Sequence, residues 1–243
     1  MGAPIPQRTS LTGESRQGGA KTLFVTGTDT GVGKTLLTAL LLVHLRERGT
    51  CARAIKPISS GGREDAKLFY ELLERQVPLD KINPFHFDEP VAPLLAARRC
   101  GRIIELEDVL GVIREARSQC DYLLVEGAGG LLSPLGKDFS AAELIRELAC
   151  SVLVVGKNQV GVINHVRLTL AALQVVGATP VKVVLDGCEE ADQSTAANAE
   201  LLRNLLPLED VFSVPFLGRR AGQIQHAKKS SKKLQKVLAR ILD

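Results

Sequence analysis

The sequence predicts an α/β fold, with a largely parallel sheet and helices on both faces. Three observations carry that prediction. Short apolar stretches alternate with helical ones along the chain, those stretches are apolar throughout, and polar residues gather at their carboxyl ends. A strand covered on both faces has no solvent side for polar residues, so uniform apolarity marks a parallel sheet between helical layers. In such sheets, ligands bind outside the carboxyl ends of the strands.

TLFVTG (22–27) is the first strand, and LLTALLLVHLRER (36–48) is a helix with a broad apolar face. CARAIKP (51–57) is the second strand, followed by a helix over EDAKLFYELLERQ (64–76). DYLLVEG, SVLVVGK, PVKVVLD and VFSVPF are further strands, separated by helical segments near 105–118, 139–149, 162–176 and 195–206. No repeat or linker interrupts residues 21–243, which read as one domain. Residues 1–20 are rich in Gly, Pro, Ser and Thr without periodicity, and are expected to be a disordered leader.

At 243 residues and 45% apolar, the chain is long enough to bury a full core. Its apolar runs are too short for a bilayer, and its N-terminus has no hydrophobic signal region; no membrane partner is expected. The net charge of +4 comes from the C-terminus, because eight of the 31 basic residues fall between Arg219 and Arg240. There Leu234, Val237, Leu238 and Ile241 recur at helical spacing, so the segment reads as an amphipathic closing helix with a solvated lysine face. A nucleic-acid surface would call for aromatic or Arg-rich reading groups; with no Trp and two Tyr, none is expected. Five scattered cysteines without a C-x-x-C pair fit reduced thiols and a cytoplasmic protein, and four dispersed histidines form no metal pattern.

The chemistry begins where the first strand ends. Gly27 leads into Thr28, Asp29, Thr30, Gly31 and Val32, and then Gly33-Lys34-Thr35 open the helix. This is a P-loop: its amides and the helix N-terminus face a triphosphate, Lys34 reaches the outer phosphates, and the Thr35 hydroxyl meets Mg²⁺. It has five residues between the two framing glycines, where the ordinary pattern has four. Glu126 follows a hydrophobic strand beside Gly127, Gly129 and Gly130, the place for a second Mg²⁺ partner. Asp121 begins the same strand and lies at the wrong end for the phosphates. Lys56 ends the second strand beside Ser59, Ser60, Gly61 and Gly62, a second cation for a transferring phosphoryl group. From local pattern alone, Asp65 is a helix N-cap or a third metal oxygen, the cap being the simpler reading.

Partitioning-type ATPases, which act as dimeric switches, also have a GKT loop, but their signature lysine would fall at position 29, which is Asp29. FVTGTDTGVGKT, IKPISSG, INPFHFDEPVAP, LLVEGAGGLLSPL and VGKNQVGVINH, in that order, resemble the dethiobiotin synthetase family over roughly residues 22–218. The longer loop is that family's own form. The resemblance implies an ATP- and Mg²⁺-dependent ligase that carboxylates 7,8-diaminopelargonic acid with CO₂ and closes the ureido ring. It implies that Lys34 and Lys56 are catalytic, that Thr35, Asp65 and Glu126 hold Mg²⁺, and that Thr28 to Thr35 bind the nucleotide. It also implies that Thr30, Lys56 and Ser60 contact the substrate. Gly161, Val162, Ile163 and Asn164 would receive the substrate carboxylate across a homodimer interface.

Two positions depart from the family. Gly31 stands where an acid is common. Asp186 stands at the adenine-reading Asn, so an acceptor-only carboxylate replaces an amide that both donates and accepts. Relaxed base selectivity is the expected consequence.

Overall fold

Strands that are apolar on both sides must be covered twice, and the chain does this with two helical layers. A computed structural model describes residues 20–206, 210–218 and 223–243. The expected leader, apart from Ala20, lies outside the described residues. The first half contains β1 (Lys21–Gly27), α1 (Lys34–Glu47), β2 (Ala52–Ile55), β3 (Ile58–Ser60), α2 (Glu64–Leu72), α3 (Leu79–Ile82) and β4 (Phe85–Phe87). After these come α4 (Pro93–Arg99), α5 (Leu106–Arg117), β5 (Tyr122–Glu126), α6 (Ala141–Leu148), β6 (Ser151–Lys157) and α7 (Val162–Val175). The remainder is β7 (Val181–Asp186), α8 (Asn198–Leu205), β8 (Val211–Val214), α9 (Ile224–Lys233) and α10 (Gln235–Leu242).

Six strands form one parallel sheet in the order β2-β5-β1-β6-β7-β8. All six are the strands expected from the sequence. Successive residues of β1 serve opposite faces: Phe24 joins the core shared with Val125, Val152 and Ile113, while Leu23 and Val25 join the one shared with Leu40 and Leu41. Helix α1 is buried from Leu37 to Leu45 because α2, α9 and α10 pack around it. That explains why its sequence is apolar almost all round.

Apart from the short helices α3 and α4, which the sequence reading does not include, the structure differs from it in two places. The closing helix is two helices, broken at Leu234, whose N–H reaches both Ser230 O and Ser231 O. Ala227, Leu238 and Ile241 are buried while the lysines stay on the outside. The second difference is a small parallel sheet in a stretch read as loop: β3 pairs with β4 through Ile58–Phe85, Ser59–His86 and Ser60–Phe87. Three-residue strands are too short for a period to show in sequence.

Because the main sheet is wholly parallel, the carboxyl ends of β1, β2, β5, β6 and β7 lie along one edge. Every loop with candidate chemistry leaves from that edge. Thr28 N donates to Val155 O at 2.9 Å, which ties the start of the P-loop to β6.

Candidate active site

The P-loop takes its shape from glycine. Gly31 (φ 72°) and Gly33 (φ 101°) adopt the left-handed conformation that side chains disfavour, and Gly33 is the N-cap of α1. Gly27 is needed for space, since a Cβ there would come within 2.7 Å of Val32 Cγ2. Asp29 Oδ1 accepts the Thr30 N–H at 2.7 Å and fixes the tip of the loop. Lys34 is buried and donates to two neutral carbonyls, Asp29 O at 2.8 Å and Gly129 O at 2.6 Å. Burial pulls its ammonium down to about 8; Glu126 resists this and the Lys56 charge adds to it.

Glu126 is the hub. Its side chain has no solvent exposure, and its Oε1 accepts from Thr35 Oγ1 at 2.8 Å and from Lys56 Nζ at 2.9 Å. Glu126 Oε2 is buried with no partner, an expensive state for a carboxylate oxygen. Lys56 Nζ also donates to Asp65 Oδ2. Burial pulls the Lys56 ammonium down, but Glu126 and Asp65 together outweigh it and hold the group up at about 12. Asp65 is therefore no simple cap. The N-cap of α2 is Arg63, without a side-chain cap, and Asp65 turns inward to the lysine.

The donor set fits a hard divalent cation. Thr35, Glu126 and Asp65 offer oxygens, and the orphaned Glu126 Oε2 is a ready ligand. Among the described residues, no group of three or more His, Cys, Asp or Glu could hold a metal. A cation here would have to complete its shell with phosphate oxygens and water, the usual habit of Mg²⁺.

The structure thus joins Lys34, Thr35, Lys56, Asp65 and Glu126 into one cluster. Thr30 is exposed on the loop, its Oγ1 3.9 Å from where a Cβ on Gly129 would stand. Ser60 donates its hydroxyl hydrogen to Val91 O at 2.5 Å, so only its lone pairs remain for a substrate unless that bond is exchanged. Asp186 rests on the P-loop: a Cβ at Gly33 would come within 2.2 Å of Asp186 Oδ2. Burial raises its carboxyl to about 7, with Lys157 opposing.

Gly161 (φ 91°) is the N-cap of α7, with Val162 buried and Asn164 exposed. Among the described residues, no hydrogen bond joins 161–164 or Ser60 to the lysine cluster. Sequence reasoning missed the carbonyl of Gly129 as a lysine partner and missed Ser133, whose Oγ accepts the Gly130 N–H at 3.0 Å. Both lie in the quoted GAGGLLSPL block, but nothing in their residue types announces those contacts.

A family described as an AAA domain matches residues 21–225. The chain is 39% identical over 187 residues to the ATP-dependent dethiobiotin synthetase BioD of Anaeromyxobacter sp. (strain Fw109-5), covering 74% of this chain and 84% of that protein. With the protein of the same name from Bacillus thuringiensis (strain Al Hakam) it shares 34% over 200 residues, 80% of this chain and 81% of that one. The chain belongs to the dethiobiotin synthetase family. This dethiobiotin synthetase family member is also similar in structure to the MinD cell-division proteins. The MinC:MinD complex of Aquifex aeolicus matches at TM-score 0.60 and 17% identity, over 92% of this chain and 96% of that one. MinD complexed with Mg-ADP from Pyrococcus horikoshii matches at 0.57 and 14%, over 91% and 93%. At these identities the likeness is one of fold.

Proposed function

We propose that this protein converts 7,8-diaminopelargonic acid, CO₂ and ATP into dethiobiotin, ADP and phosphate. The observation that carries the reading is the meeting of Thr35 and Lys56 on buried Glu126 beside the buried P-loop Lys34, in a chain of the dethiobiotin synthetase family. One substrate amine adds to CO₂ and loses a proton, giving a carbamate. A carbamate oxygen takes the γ-phosphoryl group from ATP and ADP leaves. The second amine attacks the carbonyl, the C–O bond to phosphate breaks, and the ring closes with loss of a proton.

The carbamate is already an anion, so phosphoryl transfer needs positioning and charge neutralisation more than a base. The converging groups suit that demand: two ammonium groups, a hydroxyl, two carboxylates and loop amides. Lys34 binds the outer phosphates in place of its two carbonyl partners. Lys56 faces the transferring phosphoryl and the carbamate. Thr35, Glu126 and Asp65 would hold Mg²⁺, which when bound neutralises phosphate charge. Thr30 and Ser60 contact the diamine; the Ser60 lone pairs suit an amine N–H better than a carbamate oxygen.

We read the active form as a homodimer. Leu168 and Val175 are 62% and 86% exposed on α7, and Val160, in the turn just before it, is 72% exposed; a second copy would cover these apolar side chains. The amides of Gly161, Ile163 and Asn164 would then receive the partner-bound substrate's carboxylate at the helix N-terminus, while the Val162 N–H stays with Gln159 O at 3.2 Å. Residues 21–243 act as one unit in this reading. The cytoplasm fits its five free cysteines, and among the described residues no helix is long and apolar enough to cross a membrane. Incubation with the diamine, ¹³C-bicarbonate, MgCl₂ and ATP should yield dethiobiotin one mass unit heavier than natural. ATP hydrolysis indifferent to the diamine, without that product, would overturn the proposal.

A further inference from the structure

Behind Lys56 lies a buried amide that meets the cluster only at the Lys56 backbone and bonds to none of its charged groups. Asn83 is 1% exposed and follows α3. Its Nδ2 donates to Lys56 O at 2.7 Å, and Lys56 N donates to the neighbouring Ile82 O at 2.9 Å. Residues 82 and 83 therefore hold both backbone polar groups of Lys56. The other end of the same amide holds the start of α2. Asn83 Oδ1 accepts from Arg63 Nε at 3.2 Å, and Asn83 O accepts from Arg63 Nη2 at 2.8 Å. Arg63 is the N-cap of the helix whose second residue is Asp65. The ring closes through the side chains, because Asp65 pairs with Lys56 Nζ.

The orientation of the amide follows from its partners. Lys56 O can only accept and Arg63 Nε can only donate, so Nδ2 faces the former and Oδ1 the latter. Ser59 Oγ, 3.0 Å from Oδ1, must then give its hydrogen to Asn83. That leaves the Ser59 lone pair to accept from His86 Nδ1 at 3.1 Å, which places a proton on that nitrogen. Each of these contacts works for an amide in one orientation only. A carboxylate or an apolar side chain at 83 would leave Lys56 O or Arg63 Nε without its partner.

We propose that Asn83 is the positioning residue for Lys56 and Asp65, fixing the strand end that carries the ammonium against the helix start that carries the carboxylate. Its contribution to turnover rests on the ligase reading above; its hold on Lys56 does not. The two are separated by two measurements on the full-length protein. The first is acylation of lysines at pH 8 with an amine-reactive ester, read residue by residue by mass spectrometry. Asn83→Ala should raise labelling of Lys56 at least fivefold and leave Lys34 within twofold. General loosening of the fold would raise both lysines together and overturn the proposal, as would an unchanged Lys56.

The second measurement is dethiobiotin formation. Asn83→Ala should lower kcat at least 30-fold, while the affinity and stoichiometry of a fluorescent ATP analogue stay within threefold of the parent. A kcat within threefold of the parent, in a parent that makes product, overturns the catalytic half of the proposal. A parent that makes no product removes the ligase reading, and the labelling result still decides the placement of Lys56. Should the alanine variant not fold, Asn83→Asp, nearly identical in shape, loses the Nδ2 donor and must give the same selective exposure of Lys56.

Discussion

Lys34 and Lys56 are both buried lysines beside Glu126, yet they sit in opposite electrostatic settings. Lys56 is compensated: two carboxylates hold it and its pKa is pushed up to about 12. Lys34 is held by two carbonyl dipoles, and burial brings it down to about 8. A cation among dipoles is under-satisfied and gains most from an arriving anion. In the proposed reaction the difference gives the two residues distinct work: Lys34 would capture the triphosphate, and Lys56 would be a fixed charge against which the transfer takes place.

The sharpest way to break that comparison is to remove each lysine in turn. Lys56→Ala should cut dethiobiotin formation by about 10³-fold, the scale for losing a preorganised charge at the reacting centre, and should leave nucleotide binding measurable. Lys34→Ala should lose both, as read by the binding of a fluorescent ATP analogue beside the product assay. If Lys56→Ala keeps near-normal turnover, the division of labour is wrong.

The pH dependence sharpens the same contrast. In the proposed reaction, binding of MgATP uses the Lys34 ammonium, which is present below its pKa of about 8 and lost as pH rises through it. The dissociation constant should be flat from pH 6.5 to 7.5 and then rise, by about tenfold per unit at its steepest. Lys56, at about 12, contributes no change in that window. A flat calorimetric profile to pH 9.5 would place the Lys34 proton elsewhere.

Asp186 carries a smaller effect. Its carboxyl, raised to about 7, is neutral below that pH and then offers one donor and one acceptor, as an amide does. Above it, the ionised group only accepts. Comparing kcat/KM for ATP, GTP and CTP at pH 8, we expect weak discrimination in the parent and a shift toward ATP in Asp186→Asn. A strong ATP preference that the substitution leaves unchanged would contradict this. Smallest in its effect on chemistry, Leu168→Glu with Val175→Glu should shift the sedimentation profile from dimer toward monomer. An unchanged profile would move the interface away from α7.

The fold was legible because the central strands β5, β1 and β6 are buried on both faces along most of their length, a pattern that few arrangements satisfy. Lys34 and Thr35 were legible from loop spacing, and Glu126 from its place at the end of a strand. The inward turn of Asp65 was not. Position 65 is good for helix capping, and its partner is nine residues back, across a turn and a three-residue strand. Asn83 lies in the INPFHFDEPVAP block without a local signal for its role, because its contact with Lys56 O spans 27 residues and lies beside the β3–β4 pair. The break at Leu234 was hidden for a different reason: the apolar spacing runs straight through it.

The central claim is that the γ-phosphoryl group passes to a carbamate oxygen held between these two lysines. Turnover with the diamine, MgATP and ¹⁸O-labelled CO₂, analysed by mass spectrometry of the released phosphate, tests it directly. One ¹⁸O per phosphate is the predicted result, since the bridging carbamate oxygen leaves with phosphorus when the ring closes. Unlabelled phosphate alongside normal dethiobiotin would contradict the account.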